Sequence, residues 1–336
     1  MSSALNTPIK EKEKGAPASP PKKTPLAIER DDFIRSGVAR GVRVLAEFEE
    51  FPHRLQNAGI RGTFLFFGSA RSLSHDDYKT TVGLLEEKLT SPLASEDEKN
   101  AAKAKLQRMK GLEWMCHWWH QTHDLAKKLT EWSLSPAGVD IGRNVFSHWP
   151  NGQAAQPLVV CTGGGPGFME AGNKGAAAVP GGQSMGVAVT LPFEAGLNSF
   201  VTDGLDFQFE YFFSRKFCEV YCAKAMICAP GGMGTCDEMF EVLTLMQTGH
   251  MRKIPVVLLG KKFWTDIINF KALADYHVIS QAEVDAICFA DTVEEAFDFV
   301  VKALEKEANE LKAKREGAKT TPRPDAGPQA LPKLGQ

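Results

Sequence analysis

With 336 residues, the chain can bury a sizeable core in one large domain or two small ones. Hydrophobic residues make up 43% and charged residues 24%, as in ordinary globular proteins, and the net charge of −2 gives no global basic field for binding nucleic acid. No apolar run is long enough to cross a bilayer, and the polar beginning lacks the apolar core of a secretory signal, so no membrane partner is expected.

The two ends of the chain are rich in Pro, Lys and small residues. Segments of this composition bury too little apolar surface to offset chain entropy, so 1–28 and about 312–336 are predicted to be disordered tails around a single domain, 29–311. A helix is predicted at about 30–56. The charged segment 72–110 predicts a helical insertion of two surface helices joined at SPLAS.

Strand-like and helix-like segments alternate between the tails. The strand candidates are short apolar runs that end at Gly, Thr, Asp or Pro, and they lie at 63–69, 157–162, 185–191, 225–229, 255–260 and 286–291. Helical patterns lie between most of them, at 114–134, 168–178, 210–223, 236–248, 263–274 and 292–312. This alternation, without an internal repeat, predicts an α/β fold with a doubly wound parallel sheet and helices on both faces.

Two predicted strands end in glycine loops that open helices: VVCTGGGPGFMEAGNKGA (159–176) and APGGMGTCDEMFEVL (229–243). Such loops let the backbone approach a ligand closely, and the helix N-terminus favours an anion. Neither loop contains G-x-x-x-x-G-K-[ST] or completes G-x-G-x-x-G, which disfavours a P-loop and an NAD-dependent dehydrogenase. A single phosphate or a small phosphorylated sugar is expected. Met233 either shapes a base pocket or occupies a variable position.

Carboxylates lie close to the second glycine loop. Thr235 and Glu238 have the spacing of a capping box, as do Thr292 and Glu295 at the last predicted helix. Beside a glycine loop, however, a carboxylate also suits a ribose, whose C1′ becomes an oxocarbenium ion when its glycosidic bond breaks. The pattern therefore predicts a phosphate on the glycine N–H groups and a ribose next to Glu238. For Asp237, a favourable interaction with the helix dipole is the simpler interpretation.

A basic pair lies in the aromatic stretch FEYFFSRKFCEVYCAK (209–224). Its helix is predicted to have an apolar face made of Phe212, Phe213, Phe217 and Val220. Arg215 and Lys216 lie near the start of this helix. One interpretation is a solvated basic pair. The other is that Arg215 is a semi-buried cation that needs an anion or a polar ligand.

The histidines and cysteines do not predict a metal site. In CHWWHQTHD (116–124), His117, His120 and His123 spread over roughly 120° of a helix and cannot easily converge on one ion, so an aromatic packing helix is expected. Cys218 and Cys222 are expected to be small apolar residues on a buried face. The seven cysteines have no disulfide or zinc spacing, which favours a cytoplasmic location.

In these motifs the sequence resembles the LONELY GUY (LOG) family of nucleotide phosphoribohydrolases, whose members are often labelled lysine decarboxylase-like. The matching motifs are P-G-G-x-G-T-x-x-E at Pro230–Glu238, GGGPGFMEA at 163–171, the pair Arg215 and Lys216, and FFGSAR at 66–71. They occur in the family's order and on the expected strand ends. The tails, the first helix and the insertion lie outside the resemblance.

The resemblance, which covers about residues 60–305, implies a Rossmann-like fold and a homodimer or higher homo-oligomer with sites near the subunit interface. It also implies hydrolysis of nucleoside 5′-monophosphates to free base and ribose 5-phosphate, the substrates being cytokinin nucleotides or ordinary monophosphates such as AMP. Arg215 and Glu238 are implied as the catalytic pair. The residues implied to bind substrate phosphate and ribose are Gly164, Gly165, Gly167, Lys216, Gly231, Gly232, Gly234 and Thr235. Neither a metal nor a cofactor is expected.

In the expected mechanism, Glu238 stabilises positive charge at C1′ or positions the attacking water, and Arg215 orients the substrate or assists the leaving group. Glu170 and Asp237 are secondary candidates. Lysine decarboxylation normally needs pyridoxal phosphate on a lysine, for which Lys216 beside an arginine gives no reason. Two alternatives stay open: a non-catalytic nucleotide or phospho-sugar sensor, and a single-stranded DNA-binding protein, although the latter's expected basic surface is not apparent.

Overall fold

The computed structural model describes residues 23–145, 157–190 and 196–317, and the chain divides into two compact units, Met1–Leu45 and Ala46–Gln336. The described part of the first unit contains helix α1 (Asp31–Ile34) and the beginning of α2 (Arg40–Ala58), with short 3-10 turns before each. The Arg43 guanidinium donates to two backbone carbonyls at the end of α1, those of Ile34 at 2.8 Å and Ser36 at 2.7 Å. The predicted helix at 30–56 is thus interrupted, because Ser36 is extended.

The second unit is built on a sheet of seven parallel strands in the order β4-β3-β2-β1-β5-β6-β7. The strands are β1 (Gly62–Phe67), β2 (Leu158–Thr162), β3 (Ser184–Val189), β4 (Asp206–Phe209), β5 (Ala223–Cys228), β6 (Val256–Leu259) and β7 (Ile287–Ala290). Six of them coincide with predicted strands. The sequence prediction missed β4, an edge strand in which exposed and buried residues alternate, because it relied on continuous apolar runs.

Helices connect these strands and cover the sheet. They are α3 (His75–Thr90), α4 (Glu96–Lys110), α5 (Met115–Leu134), α6 (Pro136–Asp140), α7 (Phe168–Ala177), α8 (Phe212–Tyr221), α9 (Met233–Gln247), α10 (Lys261–Ile267), α11 (Phe270–Asp275), α12 (Gln281–Asp285) and α13 (Val293–Gly317), with a π-helical turn at Ile141–Val145.

Apolar cores lie on both faces of the sheet. Successive residues of β1 alternate between them: Phe64 belongs to the core that contains Leu125 of α5 and Val300 of α13, whereas Leu65 belongs to the core that contains Phe51 of α2 and Trp264 of α10. The doubly wound, Rossmann-like α/β fold expected from the sequence is therefore confirmed.

The strand order places both glycine loops near the middle of the sheet. The chain runs outward from β1 to β4, crosses back to form β5 beside β1, and then continues to β7. In such sheets, ligands bind beyond the carboxyl ends of the strands at the point where the direction of winding reverses. That point lies between β1 and β5, so the loop after β5 adjoins it directly and the loop after β2 lies one strand away.

The predicted helical insertion at 72–110 and the ends of several predicted helices can be compared with the structure. The two surface helices expected in 72–110 are confirmed as α3 and α4, and the Lys88 Nζ–Glu98 Oε1 ion pair of 3.1 Å connects them. The predicted helix 263–274 is split, because Ile268 is extended and Asn269 caps α11. The last helix continues to Gly317, beyond the predicted start of the second tail.

The rest of both predicted tails lies mostly outside the described residues. Within the described segments, none of the helices combines the length and apolarity that spanning a membrane requires. The single-domain boundaries, 29–311, stay a prediction.

Two glycines inside helices provide a test of the packing between α5 and α7. A Cβ at Gly175 of α7 would collide with the backbone carbonyl of His123 in α5, whereas a Cβ at Gly83 of α3 would meet no described atom within 4 Å. We expect Gly83→Ala to raise the free energy of unfolding by about 0.5 to 1 kcal/mol through helix propensity. Gly175→Ala should lower it by about 1 to 3 kcal/mol through overpacking.

Urea denaturation of both variants checks this contrast, with Gly83→Ala serving as the control for alanine in a helix. Equal stabilisation by the two substitutions would contradict the close approach of α5 and α7.

Candidate functional site

Backbone hydrogen bonds join the three loops at the carboxyl ends of β1, β2 and β5. The Ser69 N–H, after β1, donates to the Pro230 carbonyl after β5 at 3.1 Å. The Ser69 carbonyl accepts from the N–H of Phe168, the first residue of α7, at 3.2 Å. The two glycine loops are thus held on either side of the β1 loop, at the point where a ligand is expected.

A buried polar network shapes the first glycine loop. The Thr162 hydroxyl accepts from the Gly164 N–H at 2.8 Å and donates to the Asn173 side-chain oxygen at 2.7 Å. The Asn198 side-chain amide donates to the carbonyls of Gly164 at 3.0 Å and Gly165 at 3.1 Å. Because these carbonyls are already engaged, the loop has a defined shape before any ligand binds.

Gly167, the residue before α7, could not be replaced without strain. Its φ of +76° lies in the region that favours glycine, and a Cβ there would collide with the Ser69 carbonyl. The glycine is therefore required for the β1 and β2 loops to approach each other.

The second glycine loop leads into α9 with an open N-terminus. The first helical bond to Gly232 comes from the Cys236 N–H at 3.0 Å, so the N–H groups of Met233, Gly234 and Thr235 have no partner within the helix. A Cβ at Gly232 or Gly234 would meet no described atom within 4 Å, and Met233 is 90% exposed. This end of α9 can receive an anion against its backbone.

Arg215 lies at the centre of the site with three hydrogen-bond acceptors. Its Nε donates to the Val187 carbonyl of β3 at 3.0 Å, its Nη1 to Glu238 Oε1 of α9 at 2.9 Å, and its Nη2 to Glu219 Oε1 of α8 at 3.0 Å. The guanidinium also lies against Gly163, where an added Cβ would be 2.8 Å from Nη2. Arg215 therefore connects the β2 loop, β3 and α9.

Both carboxylates that bind Arg215 are buried. Glu219 is 0% exposed and Glu238 is 3% exposed, and the Oε2 atom of each has no hydrogen-bond partner among the described residues. Burial raises the pKa of Glu219 to about 8, although its attraction to Arg215 acts in the opposite direction. Burial likewise raises the pKa of Glu238, again against the attraction of Arg215. For Arg215, burial opposes the charge, but Glu219 and Glu238 outweigh it and raise the pKa.

The predicted capping box at Thr235 and Glu238 is wrong. The helix begins at Met233, so Thr235 already lies in its first turn, and the Glu238 carboxylate extends to Arg215. At Thr292 and Glu295 the same spacing does form a capping box, with both reciprocal bonds at 3.2 Å. The two sites differ in where the helix begins, and Glu238 is left without a capping role.

The second residue of the basic pair is also neutralised. Lys216 Nζ lies 2.9 Å from Asp237 Oδ2 and 2.8 Å from Glu241 Oε2. Burial opposes the charge on Lys216, but the bonds to Glu241 and Asp237 prevail and raise its pKa. A phosphate would therefore compete with two carboxylates for this ammonium group.

The predicted apolar face of α8 is only partly buried. Val220 is buried, but Phe212 is 54% exposed, Phe213 is 51% exposed and Phe217 also reaches the surface. The buried face instead carries Ser214, Arg215, Cys218 and Glu219. The sequence prediction assumed that the most hydrophobic face of α8 is the buried one. In the structure the inner face of α8 instead carries polar residues whose partners lie inside the protein.

The remaining candidates lie in different surroundings. Glu170 is half-buried, and its side chain makes no hydrogen bond or ion pair with the described residues. His117 contacts the Trp118 ring edge-on, His120 stacks on His75, and His123 stacks on Trp119, which confirms aromatic packing by α5. Among the described residues there is no group of three or more potential metal ligands.

Cys218 and Cys222 are buried, as predicted for small apolar residues. The sequence reasoning missed Glu219, although its place four residues after Arg215 within a run of buried residues was a usable indication. The roles of the Val187 carbonyl and the Ser69 backbone depend on tertiary structure, and no residue type indicates them.

Comparisons with known proteins agree with the motifs. Residues 169–300 match the family model described as "Possible lysine decarboxylase", which confirms the family resemblance over a segment that includes Arg215, Glu238 and the second glycine loop. Comparison with curated proteins gives no match.

Two solved structures are similar to parts of the chain. One is the molybdenum cofactor binding protein from the phototrophic bacterium Rippkaea orientalis, at 17% identity and a TM-score of 0.34, covering 55% of this chain and 86% of the other. The second is TM1055, a target of the Northeast Structural Genomics Consortium, at 15% identity and a TM-score of 0.37, covering 72% of this chain and 99% of the other.

Isosteric replacement of the two threonines tests the difference between the two Thr-x-x-Glu sites. Thr292→Val removes a capping hydroxyl and should lower the free energy of unfolding by about 1 kcal/mol. Thr235→Val removes no capping bond, so we expect a change below about 0.5 kcal/mol. Chemical denaturation of each variant gives both values, and a cost at Thr235 as large as that at Thr292 would restore the capping interpretation.

Proposed function

We propose that this protein hydrolyses the N-glycosidic bond of nucleoside 5′-monophosphates, releasing the free base and ribose 5-phosphate. The observation that carries the proposal is the Arg215–Glu238 pair, which is buried beside the open N-terminus of α9. A nucleotide carries an anion and a sugar next to each other. This site has a helix end that can bind an anion and, on the same helix, a carboxylate that could face the sugar.

The groups available to bind a phosphate in this site are mainly backbone N–H groups and not the side-chain cations. Arg215 and Lys216 are each engaged by two carboxylates. The N–H groups of Met233, Gly234 and Thr235 have no partner within the helix and lie at its positive end. The substrate phosphate is therefore proposed to bind there, with Gly231 and Gly232 allowing its approach and Gly164, Gly165 and Gly167 lining the other side.

Glu238 is the proposed catalytic carboxylate. With Oε1 held by Arg215, its Oε2 has no described partner, so that oxygen can face the anomeric carbon or a water molecule. During hydrolysis the C1′–N bond breaks and its electron pair leaves with the base. The oxygen of water bonds to C1′, and the two protons of water are shared between the base and the new hydroxyl. A carboxylate near C1′ stabilises the positive charge that develops there.

Arg215 is proposed to hold Glu238 in place and to orient the substrate. Its contacts with Val187, Glu219 and Glu238 use three of the five guanidinium N–H groups, which leaves donors for the substrate's phosphate or base. Because the guanidinium is planar and anchored at three points, its orientation is defined before the substrate binds.

The site does not favour amine chemistry at Lys216. A lysine that forms a Schiff base must lose its proton, and the bonds to Glu241 and Asp237 keep Lys216 charged and raise its pKa. This observation favours glycosidic hydrolysis over the decarboxylation that the family description mentions. The substrates we propose are purine nucleotides such as AMP or cytokinin riboside 5′-monophosphates, and a cytoplasmic location stays part of the proposal.

We also propose that two copies of the chain associate through the exposed aromatic face of α8. Phe212, Phe213 and Phe217 form a solvent-facing cluster on the helix whose inner face carries Arg215. Phe48 contacts the rings of Phe213 and Phe217 and extends the cluster. Exposed aromatic clusters of this kind mark association surfaces, and this one would place a subunit interface close to the site.

The catalytic assignment predicts that Glu238→Gln abolishes most base release. We expect kcat to fall by about 10² to 10³, because the amide cannot supply the negative charge at C1′. Glu295→Gln is the matched control, since Glu295 occupies the same Thr-x-x-Glu pattern but caps α13, and it should retain wild-type activity. Free base is quantified by chromatography after incubation with a panel of nucleoside 5′-monophosphates that includes a cytokinin nucleotide.

If the wild-type protein binds these nucleotides in a thermal-shift assay but releases base from none of them, hydrolysis is excluded and the protein is a nucleotide sensor. Equal activity of the wild type and of folded Glu238→Gln would remove Glu238 from the mechanism.

For the association surface, the combined substitution Phe212→Asp and Phe213→Asp should convert a dimer to a monomer in light scattering coupled to size exclusion. Buried charge disrupts an apolar interface without requiring a change of fold. Leu93→Asp, at an exposed apolar residue on the connection between α3 and α4, is the control and should leave the mass unchanged. A wild-type monomer, or a dimer unaffected by the aspartates, would contradict the proposed surface.

A further inference from the structure

The second carboxylate on Arg215 has no role in the reaction as proposed so far. Glu219 is fully buried on α8, and its Oε1 accepts from Arg215 Nη2 at 3.0 Å. Its Oε2 is buried and has no partner among the described residues. A second buried acid on Arg215, bound to Nη2 while Glu238 binds Nη1, needs an explanation.

The charges around the site show why Glu219 matters. Arg215 contacts Glu219 and Glu238, and Lys216 contacts Asp237 and Glu241, so two cations face four carboxylates. If every group were ionised, Arg215 and its two buried carboxylates, Glu219 and Glu238, would together carry a net charge of −1. A net charge is unfavourable away from water. That charge would also repel the phosphate of a nucleotide. One proton on a buried carboxylate makes the group around Arg215 neutral and reduces the repulsion of the phosphate.

Glu219 is the carboxylate whose surroundings best retain that proton. Its charged and titratable neighbours are Arg215 and Cys218 on α8, Cys222 directly after α8, Glu238 and Glu241 on α9, and Cys161 on β2. Arg215 is thus the one cation among these described neighbours, and it also binds Glu238, which is slightly more exposed than Glu219. The cysteines surround Glu219 with weakly polar groups that do not compensate a second negative charge.

We propose that Glu219 is a protonated positioning residue, which holds Arg215 Nη2 as a neutral acid and leaves the guanidinium charge to Glu238 and the substrate. This proposal rests on the function proposed above. At alkaline pH the proton is lost, and Glu219 then competes with Glu238 for Arg215 and adds negative charge close to the bound phosphate. Base release should therefore weaken as Glu219 ionises, a loss that a glutamine at this position would prevent.

Infrared spectroscopy tests the protonation state without requiring activity. At pH 7 the wild-type protein should show the carbonyl stretch of a buried protonated carboxyl group that resists exchange with solvent, and Glu219→Gln should lack it. Glu295→Gln, which removes an exposed capping carboxylate, should keep the band. Absence of the band in the wild-type protein, or its persistence in Glu219→Gln, overturns the proposal.

The pH dependence of kcat/KM tests the positioning role. In the wild-type protein and in Glu295→Gln, kcat/KM should fall about tenfold per pH unit once the pH exceeds the Glu219 pKa of about 8, and in Glu219→Gln it should stay level there. An identical alkaline decrease in Glu219→Gln overturns the positioning role. If no variant releases base, the proposed hydrolysis fails, and the infrared result still decides whether Glu219 holds a proton.

The pH dependence of stability provides a readout in case the glutamine variant is less active for other reasons. Because the folded pKa of Glu219 lies above its unfolded value of 4.5, its protonated form favours folding below that value, and this stability is lost as the pH rises toward about 8. Urea denaturation across this range should show a shallower decrease in Glu219→Gln than in the wild type. Parallel curves for the two proteins would contradict protonation of Glu219.

Discussion

The buried guanidinium of Arg215 is the interaction on which the arrangement of the site depends. A charge this deep in the protein needs polar partners, and three acceptors from three different elements provide them: the Val187 carbonyl of β3, Glu219 of α8 and Glu238 of α9. The same contacts fix the distance between α9 and the sheet. Because Glu238 needs the charge of Arg215 and Glu219 shares a hydrogen bond with the same guanidinium, the three side chains act as a unit.

The sheet topology brings this unit to the end of α9 that can bind an anion. The β5 loop lies at the reversal point beside β1, and the Ser69 backbone connects it to the loop that precedes α7. Since Arg215 and Lys216 are already paired with carboxylates, we propose that backbone N–H groups, and not these cations, recognise the phosphate. With the proposed function, this arrangement would explain why glycines lie close to carboxylates in this sequence: the glycine loop is proposed to receive the phosphate, and Glu238 on the next helical turn is proposed to act on the sugar.

Much of the fold could be predicted from the sequence, because buried parallel strands are continuous apolar runs and six of the seven strands have that form. The exception, β4, lies at the sheet edge, where one side of the strand faces solvent and the apolar run disappears. Helix boundaries were less predictable. Ser36 and Ile268 interrupt two predicted helices through their extended backbones, and no strong breaker such as proline occupies either position.

The site was predictable at the level of motifs but not of contacts. Arg215 and Glu238 lie 23 residues apart in sequence, and only the packing of α8 against β3 and α9 shows that they form a pair. The local pattern at Thr235 indicated a cap, which the earlier start of α9 rules out. The aromatic residues of α8 indicated a buried face, yet the helix turns its polar side inward because Arg215 and Glu219 have their partners there.

A crystal structure of the Glu238→Gln variant with a bound nucleoside 5′-monophosphate would show whether the phosphate and the ribose bind where we propose. We expect the phosphate oxygens to lie within hydrogen-bond distance of the N–H groups of Met233, Gly234 and Thr235, and C1′ to face the side chain at position 238. A nucleotide whose phosphate binds away from the N-terminus of α9, or whose C1′ points away from position 238 and Arg215, would contradict the proposal.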